Sequence, residues 1–488
     1  MKLIVIWEHE YDKMIREETD AKAFVDSLEL VERLDPRGSL MGGRTTGFVL
    51  YKSATQGTKI KYVDFTSLYP YVNKTARYLI GHPEIITRDF DNMSTYFGID
   101  KVKVLPPRDL FHPVLGYRIQ GKITFPFCRK CAEFQKHDLC QCSDAARALT
   151  GTYCTPELLK ANEKGYKILK IYEIYQCRET TQYDSSVKTG GLFTPYINML
   201  LKIKQEASGR PTWVKTDKDL CRYIAIYEQK EGIRLNPDNI EYNPRLRSLA
   251  KLLLNSFWGK FSQRMNLCKT QILHDSQAHV LLEQMANPTI QIQDFNIVDD
   301  NHLMLSTKHI SENMCDPGHT NVFFASFNTC WARLKLYELL DLLQIRVLYW
   351  DTDSVICTQK EGELQICHRG LSLGTHERVK RGRLDNRVYL LRSQNYAYKT
   401  FKGKEVCKVK GFSLNYINSS IINLASMKDA MFNRKDSMTG NYHTVNPNKI
   451  CREKIHSELY CQEEVKRYAA VYTKRVVQPN LTTLPCGF

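Results

Sequence analysis

The sequence lacks any long apolar run. No stretch approaches the roughly 18–20 residues that a helix needs to cross a bilayer, so we predict no membrane-spanning segment and no membrane partner. A secretory leader is also missing, because the apolar run from Leu3 to Trp7 is short and continues directly into Glu8 and Glu10. There is no internal repeat and no low-complexity tract, which favours a globular chain over a disordered one.

Without a leader, the 16 cysteines indicate a reducing, intracellular location with free or metal-bound thiols, in the nucleus if the source is eukaryotic. Acidic residues are too few to balance the basic ones: 69 Lys and Arg against 53 Asp and Glu give a net charge of +16. That excess favours a polyanionic partner, nucleic acid first, although charge alone leaves a basic soluble enzyme open. A chain of 488 residues is too long for one core and predicts two to four structural units.

Two carboxylates stand close together in residues 349–355, Tyr-Trp-Asp-Thr-Asp-Ser-Val. Apolar runs at 345–348 and 356–357 flank them, so the pattern predicts a β-hairpin with Asp351 and Asp353 at its tip. Hard cations such as Mg²⁺ bind carboxylate oxygens and complete their coordination with water and substrate phosphate. The hairpin therefore indicates metal-dependent phosphoryl transfer.

A second acidic position follows the strand predicted at 61–63. In residues 64–70, Asp-Phe-Thr-Ser-Leu-Tyr-Pro, Asp64 ends the strand and Ser67 can begin a helix as its N-cap. Backbone N–H groups at such a turn can receive phosphate oxygens. A capping turn without any function is the alternative.

A third pattern lies in the helix predicted at 247–260. Arg247, Lys251, Asn255 and Gly259 are four residues apart and share one face, which suits a bound triphosphate. A solvated helix face is the alternative. Three leucines lie on other faces and are expected to be buried: Leu249, Leu252 and Leu253.

The three segments together are far more specific than any one of them. Asp-x-x-Ser-Leu-Tyr-Pro, Lys-x-x-x-Asn-Ser-x-x-Gly and Tyr-x-Asp-Thr-Asp-Ser, in this order, resemble motifs A, B and C of family B DNA polymerases. Gly-Gly-Arg-Thr at 42–45, Phe-Trp-Gly-Lys at 257–260, and Lys-Arg-Val-Val at 474–477 with Thr-Leu-Pro at 483–485 resemble the protein-primed branch. Within it, residues 40–488 are most similar to polymerases of Polinton/Maverick-type mobile elements and of linear plasmids and viruses.

The resemblance implies an α+β fold: a right-handed palm, fingers and thumb, in which the palm is an antiparallel sheet with helices on one face. The expected divisions are a lead-in over 1–60, a first palm part over 61–194 with an insertion of the terminal-protein type at about 85–190, fingers over 195–262, a second palm part over 263–414 with a further insertion, and a thumb and tail over 415–488.

The resemblance also implies DNA-directed DNA synthesis, with dNTPs added to a primer 3′-hydroxyl on template DNA. Asp64, Asp353 and the Phe65 carbonyl would hold two Mg²⁺ ions, replaceable by Mn²⁺, with Asp351 beside them. Tyr69 would be the steric gate against a ribose 2′-hydroxyl, and Trp258 stands where most relatives have Tyr. The implied nucleotide-binding residues are Phe65, Ser67, Leu68, Tyr69, Arg247, Lys251, Asn255 and Trp258.

Further matches imply contacts with DNA. Thr329 and Arg333 fit a Thr-x-x-(Gly/Ala)-Arg element, and Lys408 fits a Lys-x-Tyr element in which Lys410 replaces the Tyr. Gly42 and Gly43 fit a template-contacting linker whose aromatic residue is missing, since Leu40 stands in its place. The implied DNA-binding residues are Gly42, Gly43, Gly259, Thr329, Arg333, Lys408 and Lys410.

A cysteine cluster lies in the interval of the expected insertion. Cys128-x-x-Cys131 and Cys140-x-Cys142, with His137 between the pairs, have spacings that favour a Cys₄ structural zinc site. Unliganded thiols are the alternative. In protein-primed polymerases this interval contacts the terminal priming protein, so that protein is the expected partner.

Only about 40 residues precede the Gly-Gly element, too few for the 3′–5′ exonuclease domain of replicative relatives, so we expect no proofreading in this chain. The chain is then either a shortened gene product or part of a longer protein. A reverse transcriptase is disfavoured because those enzymes typically use adjacent Asp-Asp. A decayed polymerase that only binds DNA or a replication partner is the remaining alternative.

Overall fold

The computed structural model describes residues 6–18, 20, 22, 32–311, 315, 318, 320–363, 376–378, 384–392, 394–400, 403–432, 442–453, 456, 458–468 and 474–488. Helices and strands are mixed along these residues, and every strand pairing described is antiparallel. The α+β class predicted from the sequence is confirmed.

The α-helices are Glu8–Glu17, Leu68–Thr75, Arg129–Glu133, Asp144–Arg147, Thr155–Glu163, Thr194–Glu206, Asp217–Glu231, Pro244–Phe261, Ala278–Ala286, Val322–Leu343, Tyr416–Ile421 and Leu424–Phe432. Short 3₁₀ turns are Pro36–Ser39, Met93–Thr95, Pro237–Asn239, Asp275–Gln277 and Gln344–Arg346. The strands are Thr45–Gly47, Tyr51–Ser53, Thr58–Phe65, Tyr78–Ile80, Glu84–Ile86, Gly98–Leu105, Tyr117–Ile119, Lys122–Thr124, Leu149–Cys154, Lys167–Gln176, Glu179–Thr181, Tyr183–Asp184, Thr189–Gly190, Lys269–His274, Ile290–Asp299, His302–His309, Val347–Asp351, Ser354–Lys360, His376–Arg378, Leu384–Arg392, Asn395–Thr400, Glu405–Lys408, Tyr442–Arg452, Leu459–Tyr468, Val476–Val477 and Thr483–Leu484.

A five-stranded sheet, called the central sheet below, brings distant parts of the chain together. Its strand order is Thr45–Gly47, Val347–Asp351, Ser354–Lys360, Thr58–Phe65 and His376–Arg378. The second and third strands form the hairpin predicted from the sequence. Because this hairpin lies between two strands from the first 65 residues, its tip meets the end of Thr58–Phe65.

Different elements pack against the two faces of the central sheet. On one face Val63, Phe65 and Val355 pack against the helices Leu68–Thr75 and Val322–Leu343. On the other face Ile60 and Ile356 pack with residues of the four-stranded sheet Tyr51–Ser53, Leu384–Arg392, Asn395–Thr400 and Glu405–Lys408. Side chains alternate along a strand, so Asp64 shares the side of Ile60 and Tyr62 and points away from the helices.

Two further sheets lie in the intervals where the sequence analysis placed insertions. Glu84–Ile86, Lys167–Gln176, Gly98–Leu105 and Leu149–Cys154 form one, and its core also contains residues of the helix Thr155–Glu163. Lys269–His274, His302–His309 and Ile290–Asp299 form the other. Each therefore has its own hydrogen-bonded framework.

The first of these sheets buries a carboxyl group. Asp100 is fully buried, and one of its oxygens accepts a hydrogen bond from the Thr155 hydroxyl at 2.8 Å. Burial raises the pKa of Asp100 from 3.8 to about 7, and the hydrogen bond from Thr155 opposes this only in part.

The Asp100 carboxyl predicts a pH-dependent stability. The unfolded chain loses this proton near pH 4, whereas the folded chain keeps it until about pH 7. The free energy of unfolding should therefore fall as pH rises through this window, by up to about 1.4 kcal/mol per pH unit. Urea unfolding of wild type and Asp100→Asn across this pH range measures the free energy of unfolding. The variant should lack its fall with rising pH. Identical slopes in both proteins would contradict the prediction.

Three helices pack together after residue 193: Thr194–Glu206, Asp217–Glu231 and Pro244–Phe261. Their shared core contains Leu200, Tyr223 and Leu254. The second helix begins at the Thr216 cap and ends at Gly232, whose φ of 71° is in the left-handed region that ends helices.

The last of these helices departs from the prediction. Leu249, Leu252 and Leu253 are 52%, 62% and 38% exposed, whereas Ala250 and Leu254 are buried. The prediction that the three leucines are buried is therefore wrong. Contacts with the neighbouring helices select the Ala250–Leu254 stripe, which the sequence alone does not distinguish from other apolar stripes.

A buried ion pair connects the three-helix unit to the helix Leu68–Thr75. The Lys74 ammonium donates to the backbone carbonyl of Glu231 at 2.6 Å and lies 3.3 Å from its carboxylate. Both side chains are buried, so neither charge is compensated by water. Burial lowers the pKa of Lys74, and the charge of Glu231 opposes this.

Replacing Lys74 with methionine should destabilise the protein by about 3 kcal/mol, because the Glu231 carboxylate would stay buried without this cation. The double variant Lys74→Met/Glu231→Leu should recover much of the loss. Lys59→Met is the matched control, since the Lys59–Glu361 pair is exposed and worth at most about 1 kcal/mol. Chemical denaturation measures the free energy of unfolding of all three variants. Equal losses of stability for Lys74→Met and Lys59→Met would refute the interpretation.

Candidate active site

The central sheet aligns the predicted acidic residues. Asp351 lies opposite Ser354 within the hairpin, and Ser354 lies opposite Asp64 on the next strand. The backbone N–H of Phe65 donates to the backbone carbonyl of Asp353 at 2.8 Å, which ties the hairpin tip to the strand of Asp64. The structure thus brings the backbones of Asp64 and Asp353 together at one end of the central sheet.

The two hairpin carboxylates have different surroundings. The Asp351 carboxylate accepts hydrogen bonds from the Tyr349 hydroxyl at 3.3 Å, the Thr352 hydroxyl at 3.2 Å and the Gln394 side-chain amide at 3.2 Å. The Gln394 backbone N–H in turn donates to the Tyr349 hydroxyl at 2.8 Å. Asp351 is therefore held in a network that shapes the hairpin.

Asp353 occupies an electrostatically unfavourable position. Burial, and next the charge of Asp351, raise the pKa of Asp353 from 3.8 to about 6, while the charge of Lys251 acts in the opposite direction. A divalent cation would relieve this desolvation and repulsion, and carboxylate oxygens are the ligands that Mg²⁺ prefers. The donor set of Asp64, Asp353 and backbone carbonyls therefore fits a hard cation.

The turn after Asp64 differs in one detail from the prediction. Ser67 occupies the N-cap position of Leu68–Thr75, but its backbone is left-handed, with φ 53°, and its side chain makes no capping bond. Its hydroxyl instead accepts a hydrogen bond from the Lys204 ammonium at 3.1 Å. The helix Thr194–Glu206 thus brings a further cation to this turn, and no motif in the sequence marks Lys204.

Two other residues of this turn are more restricted than the resemblance implied. The side chains of Phe65 and Leu68 are 1% exposed and lie in the core between the central sheet and its helices. They can reach a nucleotide or metal only through backbone atoms. For Phe65 that agrees with the predicted carbonyl ligand, whereas a side-chain contact from Leu68 is not compatible with the structure.

Tyr69 meets the three-helix unit directly. Its ring stacks on the ring of Trp258, with centroids 4.9 Å apart and planes 11° from parallel. Burial raises the pKa of Tyr69 to about 12, so its hydroxyl stays protonated at neutral pH. The nearby charges of Arg333, Asp353 and Asp351 also act on this hydroxyl, which places the ring beside the carboxylates.

The helix Pro244–Phe261 presents its polar residues Arg247, Lys251, Asn255 and Gly259, called the cationic stripe below, at the protein surface. Arg247, Lys251 and Asn255 are exposed, and a Cβ added at Gly259 would have no atom of the described residues within 4 Å. The Arg247 guanidinium donates to the Ser208 hydroxyl at 3.0 Å. The charge of Lys251 acts on Asp353 and opposes the rise in its pKa.

The Gly-Gly segment supports the hairpin tip. A Cβ at Gly43 would lie 2.5 Å from the Thr352 hydroxyl oxygen, so no larger residue fits there without movement. The carbonyl of Arg44 accepts a hydrogen bond from the Thr352 backbone N–H at 2.9 Å. Gly43 therefore packs on the hairpin, and a direct template contact from it is not what the structure shows. Gly42 has open space around its Cα within the described part of the chain.

Thr329 and Arg333 lie inside the protein, so the implied contact of their side chains with DNA is not compatible with this structure. Arg333 is 4% exposed and forms two hydrogen bonds with the Glu157 carboxylate, at 2.8 and 2.7 Å. Its remaining terminal nitrogen donates to the carbonyls of Met41 and Gly42. Arg333 thus positions the Gly-Gly segment from the protein interior.

Lys408 and Lys410 are exposed, as a DNA contact requires. Lys408 lies opposite Tyr396 in the sheet, and the Tyr396 ring packs 5.5 Å from that of Tyr349 in the hairpin. The Lys410 backbone N–H donates to the Asn395 side chain at 2.9 Å. Lys408 therefore ends a strand of the sheet that adjoins the hairpin, and Lys410 lies in the turn that follows it.

The four predicted cysteines converge. The sulfur atoms of Cys128, Cys131, Cys140 and Cys142 all lie within 4.8 Å of one another, and His137 is not part of the group. The Cys131 and Cys142 sulfurs are 3.8 Å apart, which matches the roughly 3.8 Å expected around a tetrahedral zinc with Zn–S bonds of about 2.3 Å. The Cys131 N–H donates to the Cys128 sulfur at 3.4 Å.

Within the described ranges, no helix combines the length and apolar character needed to cross a membrane. The antiparallel sheets and the helices packed on them define an α+β fold with an acidic hairpin in its central sheet. A family model described as DNA polymerase type B, organellar and viral, matches residues 10–219 and 228–342. The match covers well over half of the chain, so the chain belongs to this family. The matched region ends at residue 342, just before the hairpin.

Solved structures of Phi29 DNA polymerase are similar to this chain. The complex with primer-template DNA and incoming nucleotides has 14% identity and a TM-score of 0.53, and the match covers 88% of this chain and 61% of that one. The post-translocation complex with primer-template DNA has 15% identity and a TM-score of 0.52, over 94% and 67% of the two chains. Such low identity establishes the fold alone. The chain thus spans about three fifths of the first structure's length. Comparison with curated proteins gives no significant match.

Proposed function

We propose that this chain is a DNA-directed DNA polymerase that adds dNTPs to a primer 3′-hydroxyl by phosphoryl transfer. The observation that carries this proposal is the meeting of the strand end at Asp64 with the hairpin tip at Asp353, where the charge of Lys251 on the helix Pro244–Phe261 acts on Asp353. Family membership supports the same conclusion. The alternative of a remnant that only binds DNA is not favoured, because the acidic residues and the cationic stripe remain together.

In this mechanism Asp64, Asp353 and the Phe65 carbonyl would hold Mg²⁺, for which Mn²⁺ could substitute. Bound metal ions supply acidification of the primer hydroxyl and stabilisation of the leaving pyrophosphate. Lys251 and Arg247 attract and orient the triphosphate, and Lys204 adds positive charge beside the turn at Ser67. The protein contributes mainly alignment and charge.

Tyr69 and Trp258 form the selective wall of the nucleotide pocket. Their stacked rings leave little freedom to either side chain, so the Tyr69 ring is held where a ribose 2′-hydroxyl would collide with it. Asn255, one turn from Lys251 on the same exposed face, lines the pocket. Selection of deoxyribose thus depends on contact between two segments of the chain.

Primer-template DNA binds past the end of the central sheet at which the hairpin tip lies. Lys408, Lys410 and the open surfaces at Gly42 and Gly259 contact its backbone, and the net charge of +16 supports such sequence-independent binding. Arg333 and Gly43 act indirectly, by positioning the segment that supports the hairpin.

We assign the central sheet to the palm, the three helices between 194 and 261 to the fingers, and residues from 415 to the thumb. The sheet built from 84–176 lies in the insertion that we propose contacts a terminal priming protein. We propose protein-primed replication of a linear mobile or viral element as the biological setting. The four cysteines would hold a structural Zn²⁺, whose binding would help to order this insertion.

Primer extension with Mg²⁺, dNTPs and a labelled primer-template tests the proposal. Wild type should extend the primer, and Asp64→Asn should not, while both bind the DNA with similar affinity at fixed salt. Equally poor extension by the two proteins, with binding intact, would eliminate the polymerase function. A primer with a 3′ mismatch should not be shortened, because we expect no exonuclease activity in this chain.

A further inference from the structure

The segment 475–488 touches both the central sheet and the cysteine cluster. At the sheet, the Thr483 N–H donates to the Phe48 carbonyl at 2.7 Å and its hydroxyl donates to the Gly47 carbonyl at 2.6 Å. Gly47 ends the strand that pairs with the hairpin, where it lies opposite Tyr349. Segment 475–488 therefore holds the strand Thr45–Gly47, which in turn pairs with the hairpin.

Arg475 reinforces this contact from inside the protein. Its guanidinium donates to the Thr483 hydroxyl and to the Thr483 carbonyl, both at 2.8 Å. The guanidinium also lies 4.1 Å from the centre of the Phe48 ring, which in turn packs 4.6 Å from the Trp350 ring in the hairpin. The segment is thus packed against the hairpin strand through one buried aromatic layer.

The other end of the segment lies against the cysteines. The Cys486 carbonyl accepts a hydrogen bond from the Phe127 N–H at 2.8 Å, and the Phe488 carbonyl accepts one from the Cys140 N–H at 3.1 Å. Gly487 has a φ of +84°, and a Cβ there would lie 2.2 Å from the Cβ of Cys128. The backbone of residues 486–488 therefore contacts one residue of each cysteine pair, Cys128 and Cys140.

Few other interactions hold the second cysteine pair in place. It follows an exposed stretch that includes Phe134 and Leu139, which are 68% and 67% exposed and contribute little to a core. Arg108 donates to the carbonyls of Cys140 and Cys142 at 3.2 Å each, from a surface position. The contacts with Arg108 and with Phe488 are the backbone hydrogen bonds of Cys140 that the described part of the chain provides.

We infer that a metal ion bound by the four cysteines holds the 475–488 segment in place, and thereby supports the strand beside the catalytic hairpin. Four thiolates in this arrangement favour Zn²⁺. Its binding free energy would order the 127–142 region, whose backbone holds residues 486–488. This inference rests on the zinc site proposed above and adds a role for it at the active site.

The first experiment establishes the metal. Protein purified without chelator should contain one Zn²⁺ per chain, and Co²⁺ replacing it should show the visible absorption bands of a tetrahedral thiolate site. Cys140→Ser should lose the metal and these bands. Absence of metal in the wild type and failure to bind added Co²⁺ would overturn both the zinc site and the inference.

The second experiment measures the coupling by hydrogen exchange, without reference to activity. Removing the metal from the wild type should raise amide exchange at least tenfold at Phe127 and Cys140, and also at Thr483, whose amide bonds to Phe48. If exchange rises at Phe127 and Cys140 but not at Thr483, the metal site stands and its role in holding the segment is refuted.

A variant that retains all four cysteines completes the test. Gly487→Ala should displace the segment from Cys128 while the protein still binds Co²⁺, and exchange at Thr483 should rise as it does without metal. Gly121→Ala is the matched control: its φ of +74° carries the same backbone cost, but no described atom lies within 4 Å of the added Cβ. Equal exchange at Thr483 in the two variants would contradict the inference.

Discussion

Replacing Asp353 with asparagine should lower the rate of primer extension by about 10³-fold or more, equivalent to about 4 kcal/mol of transition-state stabilisation. The Asp353 carboxylate is half-buried and raised in pKa by burial and by the charge of Asp351, and this arrangement is tolerable mainly if a cation shares the site. The amide cannot supply the charge that attracts that cation. Affinity for primer-template should be unchanged or slightly higher, since a negative charge near the DNA is removed.

Asp351→Asn is the matched control, two residues away in the same hairpin. The Asp351 carboxylate already accepts three hydrogen bonds from the protein, so its role is to hold the hairpin. An asparagine can still accept part of this network, and we expect a loss of only about tenfold. Single-turnover extension rates at saturating Mg²⁺ compare the two variants. A larger loss for Asp351→Asn than for Asp353→Asn would show that their roles are assigned the wrong way round.

Replacing Tyr69 with valine should increase the use of ribonucleotides relative to deoxyribonucleotides by about 100-fold or more. The Tyr69 ring occupies the space beside the carboxylates and is held there by Trp258. Removing the ring leaves room for a 2′-hydroxyl, whereas extension with dNTPs should fall much less. The ratio of kcat/KM for a matched rNTP and dNTP measures the change.

Two further variants separate the ring from its surroundings. Tyr69→Phe keeps the ring and loses only the hydroxyl, so discrimination should remain as in the wild type. Trp258→Ala removes the stacking partner and should raise the KM for dNTPs, with a smaller effect on discrimination. If Tyr69→Val discriminates as well as Tyr69→Phe, the selective contact lies elsewhere in the pocket.

The sequence alone determined the local elements of this site. The apolar runs on both sides of Asp351 and Asp353 predicted the hairpin, and the four-residue spacing of Arg247, Lys251 and Asn255 predicted a shared polar helix face, which is exposed. The two cysteine pairs predicted a cluster that the structure confirms. These predictions held because periodicity and short spacings act within one element, where backbone geometry alone decides which side chains share a face.

Only the tertiary structure decided which matched residues are accessible. Arg333 fits a DNA-contacting element by sequence, yet it is buried against Glu157, which lies far from it in the chain. Gly43 fits a template linker, yet it packs on Thr352. Neither partner can be read from local spacing, because each contact depends on how separate elements pack.

The same reason explains what the sequence did not reveal at all. Lys204 reaches Ser67, and Lys74 pairs with Glu231, only because the three-helix unit packs against the helix after Asp64. The segment 475–488 reaches both the hairpin and the cysteines because the sheet edge and the insertion lie side by side. Local chemistry thus determined the candidate catalytic groups, whereas long-range packing decided which residues position them.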